Sequence, residues 1–75
     1  MATKKQEQDD PTSTLNKAFD DEEIFVLRAQ DISAPGLIIQ WANRAAKNGC
    51  PEAKVAEARK IAEAMEKWPV RKMPD

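Results

Sequence analysis

The sequence predicts a mainly α fold. It is an antiparallel helical hairpin preceded by a short extended segment, which can form a strand, and by a disordered N-terminal tail. Residues 1–19 are the expected polar tail and residues 20–75 one small helical domain. Three observations carry this reading. Two stretches repeat apolar residues at spacings of three and four. A stop-and-restart signal, Asn48-Gly49-Cys50-Pro51, lies between them. The chain up to Lys17 has almost nothing to bury, with Leu15 its one large apolar residue after Met1.

In the tail, Lys, Gln, Glu, Asp, Thr, Ser and Pro dominate. Ordering such a stretch costs about 1–2 kcal/mol per residue in backbone entropy, with no burial to offset it. Leu15 and Phe19 can anchor a transient turn or a short binding motif, though a solubilising tail is the commoner role. Next comes Asp20-Asp21-Glu22-Glu23, leading into Ile24-Phe25-Val26-Leu27. Asp20 and Glu23 fit a capping box that would open a helix, whereas four successive apolar residues, two of them β-branched, favour an extended segment. The extended form is the expectation. A lone strand has unpaired edges, which pairing between two copies of the chain would satisfy.

The first long helix is expected from Ser33 to about Asn48. Ser33 is the anticipated N-cap, Pro35 is tolerated in a first turn whose N–H groups lack helical partners, and Ile32 can staple onto Leu37. Leu37, Ile38, Trp41, Ala42 and Ala45 form its apolar stripe, with Gln40, Asn43, Arg44 and Lys47 mainly outside it. Gly49 suits the left-handed position past the helix end, and Pro51 the start of the next helix. That helix spans roughly 51–67, with Val55, Ala58, Ile61, Ala62, Met65 and Trp68 as its stripe and Glu63–Lys67 as an exposed i,i+4 pair. Pro69 ends it. Two alanine-rich stripes bury little, so Ile24 to Leu27 and Ile32 are expected to close one side of the core, with Trp41 and Trp68 as its largest pieces.

Composition narrows the function. Seventy-five residues make at most one domain. Residues 1–23 hold three lysines against seven acids, a net −4, and residues 24–75 nine Lys or Arg against six acids, a net +3. An acidic arm on a mildly basic body is far from the concentrated basic patch of a dedicated nucleic-acid binder. The single cysteine, Cys50, excludes an intrachain disulfide, and the longest apolar run, four residues, is too short to span a bilayer. A cytoplasmic location and no membrane partner follow as expectations.

Catalysis lacks parts. With no histidine there is no ordinary Ser-His or Cys-His pair, and one thiol with scattered carboxylates builds no zinc site. The only glycines, Gly36 and Gly49, form no phosphate-cradling loop. No enzyme activity, metal or cofactor is expected. Cys50 starts a helix, where backbone N–H groups favour a thiolate, but a partly buried small residue in a turn is the commoner role. A helix-turn-helix DNA-binding regulator is the alternative, because Ala45, Gly49 and Val55 fit that motif. Against it, Pro51, Glu52 and Glu57 give the would-be recognition helix an acidic start facing phosphates.

The expected partner surface joins Arg28, Gln30 and Asp31, a guanidinium, an amide and a carboxylate between two apolar stretches. Asp31 can equally cap the following helix. Arg44 lies outside the apolar stripe, and Trp68 with Arg71 belongs to the basic, apolar run at 68–73.

The residues Phe25-Val26-Leu27-Arg28-Ala29-Gln30-Asp31, then Ala34-Pro35, Trp41-Ala42 and Lys54-Val55-Ala56-Glu57-Ala58, followed by Met65 and Trp68, together resemble a group of short bacteriophage and prophage proteins. The similarity covers residues 24–75. It implies a phage-encoded accessory protein in the bacterial host cytoplasm, and small phage proteins of that kind often bind and redirect a host protein. The expected function is therefore a non-enzymatic protein-interaction module, with homodimerisation through Ile24 to Leu27 or the helix faces as a subsidiary expectation.

Overall fold

A computed structural model of the chain describes residues 3–73. Its elements are α1 (Lys4–Asp9), α2 (Thr14–Lys17), α3 (Ala34–Lys47) and α4 (Glu52–Glu66). The two long helices pack on each other as the hairpin the sequence predicts. The connection is built as its residues dictate. Gly49 takes the left-handed conformation at φ 82°. Its N–H donates to Ala46 O at 3.2 Å, while Cys50 N–H donates to Ala45 O at 2.9 Å. These bonds close the last turn of α3 as a Schellman motif. Pro51 sits just before α4 and accepts from Lys54 and Val55 N–H. Glu63 and Lys67 form their i,i+4 pair at 3.8 Å.

The seam between α3 and α4 is narrow. Ala42, Val55 and Ala58 form the buried cluster, with Ile38, Ala45 and Cys50 packed against it. Ala34, Pro35 and Ala62 are also buried. Among the described residues no large side chain is fully buried. This corrects the expected core: Trp41 is 48% exposed and Trp68 52%. At about 100° per residue, Ile38, Ala42 and Ala45 share the face turned to α4, while Trp41 and Leu37 fall on its flank. Alanines fill the contact between the helices and the indole stays half exposed beside it.

Residues 24–27 do not close the core either. Residues 22–28 form neither helix nor strand, Ile24, Phe25, Val26 and Ile32 are exposed, and Leu27 is half-buried. The chain beyond α4 instead pairs with residues 30–32. Lys72 N–H donates to Gln30 O at 2.7 Å and Ile32 N–H to Lys72 O at 2.9 Å, making a parallel bridge between Asp31 and Lys72. Beside it, the Arg71 guanidinium donates from Nη1 to Met65 O at 3.0 Å and from Nη2 to Ile32 O at 3.2 Å. One side chain thus joins the end of α4 to the approach of α3.

The start of α3 also differs in detail from expectation. Ser33 is the N-cap residue, but its backbone is helical and its hydroxyl makes no cap bond. Asp31 does that work. Its Oδ1 accepts from Ser33 N–H at 2.8 Å, and its carbonyl accepts from Ala34 N–H at 3.0 Å.

The N-terminal segment is a tail in that it adds no apolar residue to the core. Where composition predicts no local order, however, α1 and α2 fold on each other. Thr3 and Gln6 complete a capping box. The Ser13 hydroxyl, buried, donates to Glu7 O at 2.6 Å and accepts from Asn16 N–H at 3.1 Å. The Asn16 amide donates to the carbonyls of Glu7, Gln8 and Asp10 at 2.9–3.0 Å. Polar side chains meeting backbone carbonyls replace the missing hydrophobic contacts.

Candidate partner-binding surface

Three of the residues singled out in the sequence converge. Arg28, Gln30 and Asp31 line a shallow hollow of about 210 Å³ together with Phe25, Val26, Lys72 and Met73. The Asp31–Lys72 bridge positions them, because it draws the chain after α4 alongside the chain before α3. Gln30 and Asp31 are half-buried and Arg28 is exposed. Phe25 at 87%, Val26 at 68% and Met73 at 69% exposure give the rim its apolar character. The result is an apolar rim carrying two cations and one carboxylate. Asp31 also holds the approach to α3, its Oδ1 accepting from Ser33 N–H.

Arg44 lies apart, on the outer flank of α3. Leu37, Trp41 and Arg44 follow one another at intervals of four and three, and all are exposed. They form a ridge in which a half-exposed indole stands between an aliphatic and a guanidinium group. Sequence reasoning placed Leu37 and Trp41 in the core. Only the alanine seam reveals that they face outward.

Trp68 and Val70 are exposed on the segment after α4. Arg71, expected at the partner surface, is half-buried and directs its guanidinium to the carbonyls of Met65 and Ile32. Cys50 is half-buried and packs on the core cluster.

A second, more open depression of about 600 Å³ lies between α1 and Glu57 of α4. Glu7, Asp9, Asp10 and Glu57 make it acidic, with Lys5 paired to Asp9 at 3.1 Å. The Asp10 carboxyl is held below the ordinary carboxylate range, first by the Thr12 hydroxyl and then by the Thr12 backbone N–H, both donating to Oδ1. Among the described residues, no three His, Cys, Asp or Glu are arranged to hold a metal ion, and no helix is long and apolar enough to cross a membrane. No protein-family model, curated protein or solved structure matches the chain.

Proposed function

We propose that this chain is a non-enzymatic protein-interaction module, a phage-encoded accessory protein that binds and modulates a bacterial host protein. The observation that carries the reading is where the large apolar side chains lie. Both tryptophans, both phenylalanines and Met73 are about half exposed or more, while alanines and one valine fill the core. Apolar surface concentrated in this way marks docking sites in soluble proteins. The ridge of Leu37, Trp41 and Arg44 has the composition of an interface anchor, since Trp and Arg carry a disproportionate share of binding energy. The resemblance over residues 24–75 supports the phage setting and the host partner.

Affinity capture from a bacterial host, followed by titration of the captured protein, tests the proposal. Trp41→Ala is expected to weaken that binding by roughly 10- to 30-fold, the effect of losing a central anchor. A partner that binds wild type and Trp41→Ala equally would remove the ridge from the reading. Salt-sensitive binding of duplex DNA, lost when Lys54 and Arg59 are changed to Ala, would favour the helix-turn-helix alternative instead.

A further inference from the structure

The backbone N–H and C=O groups of residues 23–27 form no hydrogen bond with the described chain, and the side chains of Ile24, Phe25 and Val26 are exposed. A segment with unpaired backbone groups and exposed apolar side chains can take up strand pairing with another chain. The sequence around it is complementary to itself. Four acids, Asp20 to Glu23, precede the apolar run, and Arg28 follows it. We propose that a second copy of the chain occupies this edge, the two 22–28 segments pairing antiparallel about a two-fold axis through Phe25. This rests on the reading of the exposed apolar surface as a docking surface and names its occupant.

The register follows from the symmetry. A two-fold axis perpendicular to an antiparallel pair passes through a residue opposite its own copy. With Phe25 on the axis, Ile24 faces Val26 of the second copy and Glu22 faces Arg28 of the second copy. Side chains alternate between faces, so Glu22, Ile24, Val26 and Arg28 share one face and pair there as charge, apolar, apolar, charge. The axis through Val26 instead would set Ile24 against Arg28 of the second copy and lose that match.

The exposed area is consistent with an unfilled interface. A compact monomer of 8.4 kDa exposes about 4600 Å² by general scaling. This chain exposes 6260 Å². The excess is spread over the chain, the N-terminal segment included, and leaves room for the roughly 800 Å² that each partner contributes to a standard interface.

Sedimentation of the full chain over a concentration series tests the pairing with two charge reversals. Glu22→Arg places arginines opposite each other, and Arg28→Glu places glutamates opposite each other. Each variant alone is expected to dimerise at least tenfold more weakly than wild type, and an equimolar mixture to recover wild-type affinity, because both charge pairs are restored in the mixed dimer. Both positions are exposed, Glu22→Arg also gives up the bond from Phe19 N–H to the Glu22 carboxylate, and circular dichroism is to check that each variant keeps its helices. A wild-type chain that stays monomeric up to millimolar concentration overturns the inference, as does a dimer that neither reversal weakens or a mixture that fails to recover. A monomer that still binds a host protein through Trp41 overturns the dimer and leaves the interaction reading standing.

Discussion

Ala42 and Ala58 keep the contact between α3 and α4 narrow, because each offers a single side-chain carbon to the buried cluster. Their effect reaches the flank of α3 as well. With the seam filled by small side chains, Trp41 and Leu37 lie on the flank, where they form the exposed ridge with Arg44. Arg71 is the opposite case, one long side chain whose two hydrogen bonds join points far apart in the chain. Arg71→Ala removes a charged donor from two carbonyls and is expected to destabilise the fold by about 1–3 kcal/mol, read as a lower urea midpoint. Gly49 was fully legible in the sequence, because a turn residue states its own backbone requirement. Arg71 was not, since its partners are set by where the chain returns and no local pattern encodes that return.

The two long helices were legible almost to the residue, since periodicity, Gly49 and the prolines all act within a few positions. The segments around them were not. Residues 24–27 have strand-like composition but no neighbour to pair with inside the monomer, so intrinsic preference alone could not say where they lie. The N-terminal helices were hidden for another reason: Ser13 and Asn16 act through hydrogen bonds to nearby backbone, Thr12 through its hydroxyl and N–H to the Asp10 carboxylate, and none of these leaves a hydrophobic signature. The turn at Asp10 has a pH dependence of definite sign. Its folded carboxyl titrates below its unfolded value, so the stabilisation is fully present above the unfolded pKa and is lost as pH falls through the lower, folded one. Amide shifts of residues 10–17 are expected to move towards unstructured values across that acidic window in wild type. In Asp10→Asn, that carboxylate-linked transition should be absent.

For the whole molecule, the candidate surface was half legible. The sequence brought Arg28, Gln30 and Asp31 forward, and the fold adds Phe25, Val26, Lys72 and Met73 around them. The ridge on α3 could not be separated from the core by periodicity, because Trp41 sits at the border of the apolar stripe. Most of the bulky apolar groups stay wet in the monomer, leaving the interior to side chains that are nearly all small.

The alanine seam has a calorimetric consequence. Heat capacity rises on unfolding chiefly because buried apolar area becomes hydrated, and this chain buries little of it as a monomer. Scanning calorimetry at low concentration should give a heat-capacity increment below the roughly 12–15 cal/mol/K per residue of ordinary domains, with a broad, shallow endotherm. The stability curve would then be flat, changing little between cold and warm conditions. An increment at the ordinary value would show that the seam closes over more apolar area than its alanines can supply.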